Sequence, residues 1–104
     1  MILCPSARAK TKPEVLPDVA IDHDKEKYYI EIELPGVKKE DIQLDVGDLS
    51  FCVKAPAEDI TYSCCYTLAH AVDPKKADAA FNNGLMKLTI PLKSKLGGTR
   101  VPVK

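Results

Sequence analysis

The sequence has no excess of either charge, no long apolar run and no paired-cysteine metal motif, and each absence removes a class of function. Fifteen Lys and Arg balance fifteen Asp and Glu across 104 residues, for a formal net charge of zero. A chain built to grip nucleic acid or an anionic membrane carries a basic surplus, so neither partner is expected. The apolar runs are only a few residues long, far short of the roughly 20 that span a bilayer. No P-loop, dinucleotide glycine pattern or nucleophile motif occurs, which predicts no enzyme and no cofactor. Cys4, Cys52, Cys64 and Cys65 include an adjacent pair and no C-x-x-C, a spacing that suggests neither a disulfide framework nor a zinc site. Met1-Ile2-Leu3-Cys4-Pro5 lacks the apolar stretch of a leader, and a reducing, cytoplasmic setting is the expectation.

What is present is enough for one domain. The chain is 45% hydrophobic and 29% charged, and this length buries roughly 65% of the unfolded surface. Residues 1–17 hold Pro5, Pro13 and Pro17 and no periodicity, which reads as an irregular arm. Residues 18–93 show period-two alternation broken by turns, the mark of half-buried strands. Residues 94–104 open with a glycine pair and end on Val101-Pro102-Val103, a flexible link carrying a short extended peptide.

Seven strands are predicted. Val19 to His23 is the first. In the second, Tyr28, Ile30, Ile32 and Leu34 share one face, with Glu31 and Glu33 on the other. Ile42, Leu44 and Val46 alternate in the third, which turns at Gly47-Asp48 into a fourth with Leu49, Phe51 and Val53 inward and Ser50, Cys52 and Lys54 outward. Ile60 to Leu68 is the fifth, with Cys64 and Cys65 on opposite faces. Asp73-Pro74-Lys75-Lys76 caps a single helical turn. Ala77 to Phe81 then meets Asn82-Asn83-Gly84, whose Asn-Gly pair suits the two positive φ angles of a type I′ hairpin, and Met86, Leu88 and Ile90 return. Strands at this spacing indicate an all-β, two-sheet antiparallel immunoglobulin-like sandwich.

Two segments resemble a known family. Glu33-Leu34-Pro35-Gly36-Val37-Lys38-Lys39-Glu40-Asp41-Ile42 is similar to the E-L-P-G-x-x-K-E-D-I signature of the small heat-shock proteins, which share the alpha-crystallin domain. Ala79 to Met86, with Gly84, resembles the family's A-x-x-x-x-G-V-L box, Met86 standing where leucine is usual, and Val101-Pro102-Val103 resembles its C-terminal I-x-I/V anchor. The resemblance implies an ATP-independent holdase that binds partly unfolded proteins and prevents their aggregation. It also implies a groove that receives the anchor, carried over here onto Ile42, Leu44 and Val46 on one side and Ala77, Ala79 and Phe81 on the other. Self-association through the tail follows from the same resemblance. A CS-type co-chaperone domain, which shares the sandwich and binds a folded chaperone, is the alternative.

The chain departs from the family in one long element. Many members carry an extra, exchanged strand between the fourth and fifth strands, where this chain has only Ala55-Pro56-Ala57-Glu58-Asp59. Five residues span at most about 18 Å, too little for exchange, so a monomer or small oligomer is expected. Cys52, Cys64, Cys65 and His70 have the side chains of a soft-metal or redox site. The plainer reading makes the cysteines small apolar residues, and Glu31, Glu33 and Asp45 a solvated sheet face.

Overall fold

The computed structural model describes residues 12–94 and 100–104. Cys4, most of the expected arm and the Gly97-Gly98 pair lie outside the described residues. The described residues form eight strands: β1 (Glu14–Val15), β2 (Asp18–His23), β3 (Lys27–Glu33), β4 (Gln43–Val46), β5 (Ser50–Pro56), β6 (Thr61–Thr67), β7 (Asp78–Asn82) and β8 (Leu85–Pro91), with single 3-10 turns at Lys39–Asp41 and Pro74–Lys76. One sheet runs β1-β6-β5-β4 and the other β2-β3-β8-β7. The seven expected strands are all present, and the all-β two-sheet sandwich is the observed architecture.

Its core follows from alternation. In β3 every second residue is buried, Tyr28, Ile30 and Ile32, and Leu34 continues the row. Across the ladder Tyr28 faces Ile90, Ile30 faces Leu88 and Ile32 faces Met86, so two apolar rows form one continuous face. The opposing sheet offers Phe51, Val53 and Ala55 from β5 and Cys64 from β6, all buried. Phe51 stacks on Tyr66 at a centroid distance of 5.5 Å. Each of the large side chains closed off in this way contributes about 1.5–3 kcal/mol.

Three sequence expectations are corrected. Glu14 and Val15, read as part of an irregular arm, pair in parallel with Thr61 and Tyr62; two residues against a strand edge leave no periodicity to detect. Leu49, expected inward, is 50% exposed, because it sits in the turn before β5 and its carbonyl accepts the Leu68 amide at 2.7 Å. The cysteines do form a disulfide, between Cys52 and Cys65. Those residues are cross-strand partners, an outcome of hairpin register that a rule on cysteine spacing does not test. The pairing also removes cysteine usage as an argument for reducing surroundings.

The two ends of the sandwich are closed by backbone hydrogen bonds. At one end the Leu34 amide donates to the Gly84 carbonyl at 2.7 Å, and the Lys12 ammonium donates to the Ala57 carbonyl. At the other, the Val72 amide donates to Asp48 and the Leu92 amide to Glu26. Asp24 organises the turn from β2 to β3. Its carboxylate accepts the Glu26 and Lys27 amides at 2.7 and 2.8 Å and the Tyr29 hydroxyl at 2.8 Å. Those bonds, the Glu26 amide first, hold its carboxyl below the ordinary carboxylate value, while the bond to Asp24 pushes the Tyr29 hydroxyl up.

Two outcomes follow. Because the folded state depresses the Asp24 value, its contribution exists above the ordinary carboxylate range and disappears as pH falls through the folded value. Asp24→Ala therefore lowers the urea midpoint at neutral pH, and the gap to the parent chain narrows in acid. Gly84 adopts φ +80°, and a Cβ there would lie 3.4 Å from Pro35 Cα. Gly84→Ala lowers the unfolding free energy by about 1–2 kcal/mol, read from the same urea curves.

Candidate functional site

The two signature segments, far apart in sequence, meet in space. After β3 the chain turns through Pro35 and Gly36. Gly36 is at φ +81° and the Val37 amide donates back to the Leu34 carbonyl at 3.3 Å, the pattern of a type II turn with Pro at its second position and Gly at its third. Opposite it, Asn83 and Gly84 have φ +52° and +80° between the paired Asn82 and Leu85, the two positive angles of a type I′ hairpin. The Leu34–Gly84 hydrogen bond joins these turns. Asp41 closes the 3-10 turn, its amide donating to Lys38 at 2.9 Å, and its side chain is exposed.

This junction delivers β4 and β7 to the same margin of the sandwich. Among the described residues each is the last strand of its sheet, β4 pairing only with β5 and β7 only with β8. Their inward-facing residues are therefore covered from one side alone. Ala79 lies across from buried Leu88 and Phe81 across from buried Met86, yet Ala79 is exposed and Phe81 only half-buried. Ile42 and Leu44 are likewise half-buried. Between them runs an apolar hollow of about 180 Å³, with Met86 in its lining and Lys39 beside it. A larger hollow of about 430 Å³ at the end near Gly36 is lined by Lys12, Lys38, Asp41 and Glu58 among others, a mixed-charge surface with little to hold an apolar segment.

Of the six residues expected in the groove, Ile42, Leu44, Ala79 and Phe81 line it. Val46 and Ala77 pack against the core, as Ile42, Leu44 and Phe81 also do, but do not line the hollow. Reasoning from the sequence missed Lys39, Ala80 and Met86 as lining residues; Met86 belongs to the glycine box, and its place on β8 opposite Phe81 was the available signal. Val101 and Val103 of the tail are 74% and 96% exposed, so neither is buried against its own domain.

The four candidate soft-metal residues are not brought together. Cys52 and Cys65 are bonded to each other on the outer face of their sheet, and Cys64 points into the core, where burial pushes its thiol up. His70 sits at the far end, 5.1 Å from the His23 ring, and its amide donates to the Tyr28 hydroxyl at 3.2 Å. No helix among the described residues is long and apolar enough to cross a membrane.

Comparison with known proteins gives a consistent result. The model of the Hsp20/alpha crystallin family matches residues 20–104. A probable 15 kDa heat shock protein of Leptospira interrogans is 30% identical over 94 residues, covering 77% of this chain and 72% of its own. Heat shock protein 16 of Schizosaccharomyces pombe is 28% identical over 96 residues, covering 75% of this chain and 67% of its own. The solved structure of heat shock protein 16.0 from Schizosaccharomyces pombe superposes with a TM-score of 0.73 at 22% identity, over 86% of this chain and 99% of that one. With a family match over most of its length, and the family's two motifs joined at the Leu34–Gly84 contact, the chain belongs to the Hsp20/alpha crystallin family of small heat shock chaperones.

Proposed function

We propose that this chain is an ATP-independent holdase, which captures extended apolar segments of partly unfolded proteins in the groove between β4 and β7 and so prevents their aggregation. The observation that carries the reading is the groove itself: apolar lining from both sheets, flanked by β4 and β7, each the outermost strand of its sheet among the described residues. An unfolded client offers alternating side chains and unpaired amides together, and a margin of this kind accepts both, the pocket taking side chains and the edge taking backbone. The family binds unfolded clients generally. No bond is made or broken in such capture, so the proposed activity needs neither a cofactor nor a catalytic residue. The match over residues 20–104 favours this reading over a CS-type adaptor.

The tail is the proposed means of self-association. Val101 and Val103 are exposed, and Pro102 restricts φ and so lowers the entropy lost on docking. Each valine contributes roughly 1.5 kcal/mol when buried, a weak grip alone that gains strength when several copies act together. The extra exchanged strand is absent here, because β5 passes to β6 through Ala57–Ile60 with the Ala57 amide donating to the Ile60 carbonyl at 2.7 Å. That favours a monomer or small oligomer.

The reading is tested by the turbidity of a heat-labile client without ATP. The parent chain suppresses aggregation at near-equal mass. Leu44→Glu, which puts a charge in the groove, loses at least half of the suppression, whereas Ile21→Glu, at an exposed position on β2, retains it. Circular dichroism verifies that both variants are folded. Absence of suppression by the parent chain, or full activity in Leu44→Glu, overturns the proposal. In light scattering, the parent chain runs as a monomer or small oligomer and Val101→Gly with Val103→Gly reduces any association; a stable assembly of many subunits contradicts the size proposal.

A further inference from the structure

We propose that the Cys52–Cys65 disulfide is a reversible modification site for low-molecular-weight thiols of the glutathione class, with Cys65 as the residue that carries the thiol. The two cysteines face each other in the middle of the β5–β6 ladder, with Cα atoms 4.1 Å apart. They point outward, away from the core that Val53 and Cys64 enter. Cys65 is exposed and Cys52 half-buried, so an attacking thiolate reaches the Cys65 sulfur first. Access and the identity of the attacked sulfur set the rate of such an exchange. Cys64 takes no part. It faces the opposite side of β6 and is buried, and burial pushes its thiol up, away from the reactive thiolate.

The chemistry balances in two steps. A thiolate RS⁻ attacks Cys65 Sγ, forming an RS–S bond to Cys65 while the Cys52–Cys65 bond breaks. The electron pair leaves on Cys52 Sγ, which takes a proton from water. A second thiolate attacks the sulfur of the bound RS group, releasing RSSR and the Cys65 thiolate, which is protonated in turn. The disulfide gains two electrons and the two small thiols lose them.

Opening the bond has a mechanical consequence at the groove. Among the described residues the strand β4, whose Leu44 forms one wall, is held in its sheet by β5 alone, and β5 is held on its other side by β6. Asp45, next to Leu44, is the register partner of Cys52, which is the partner of Cys65. The disulfide thus lies in the row next to that of the groove-wall residue Leu44, which pairs with Val53, and ties its support strand to the rest of the sheet. Reduction leaves the ladder in place and frees the β4–β5 hairpin to move.

The experiment treats the folded Cys4→Ser chain with millimolar reduced glutathione, followed by alkylation and mass spectrometry. The expected products are a mixed disulfide on Cys65 and then a chain with two newly alkylated cysteines. The melting temperature falls by roughly 10 °C, the order expected when a closed loop of this size is opened, and amide hydrogen exchange quickens in β4 and β5 with β3 and β8 unchanged. Cys52→Ser with Cys65→Ser melts at the same temperature with and without glutathione. A bond that resists glutathione until urea unfolds the chain overturns the proposal, as does an equal melting response in the double variant. A mixed disulfide on Cys52 overturns the choice of residue, and unchanged exchange in β4 and β5 overturns the link to the groove. None of these readouts depends on client capture.

Discussion

The structure depends on taking the joined apolar face of β3 and β8 out of water. Ile30, Ile32, Leu34, Leu88 and Ile90 have essentially no accessible surface, and a face that large needs a second sheet above it. Phe51 and Val53 on β5 provide the cover. The best-buried strands are therefore the central ones of each sheet, β3 and β8 below and β5 above. The margins receive what is left, and at β4 and β7 that is not enough to close the sandwich. The groove is what remains where two well-packed layers run out of strand.

That margin stays open without the sheets drifting apart because the backbone is fastened beside it. Gly36 and Gly84 both occupy the left-handed region, and the tight β7–β8 turn that Gly84 allows brings its carbonyl to the Leu34 amide. Two short turns, some fifty residues apart in the chain, thereby fix the angle at which β4 leaves the junction and the position of β7 relative to it. Gly36 and Gly84, which do not line the groove, thus still shape it.

Much of this was legible in the sequence, for reasons that differ from element to element. Period two is unambiguous where one face is fully buried, so β3 and β8 and the Asn83-Gly84 reversal could be read directly. The groove was legible only through family resemblance, since half-covered residues such as Ala79 look like any small residue on a strand. Val46 and Ala77 lie outside the hollow, because a resemblance carries over a pair of strands and not how much of the other sheet stands over each residue. β1 was hidden, as a two-residue parallel pairing leaves no pattern. The Cys52–Cys65 bond is half visible: Cys52 reads as outward on its strand and Cys65 lies on the opposite face of the next strand from Cys64, and the register is what the sequence does not supply.

The parallel pairing of β1 with the start of β6 also sets where the backbone joins the domain. Lys12 is tied to Ala57 near the end that carries Gly36 and Gly84, whereas Leu92 is tied to Glu26 at the opposite end, and Lys93 to Ala71. The segments flanking the domain are thus attached at opposite poles, like the two couplings of a railway carriage. The groove lies along the side between them.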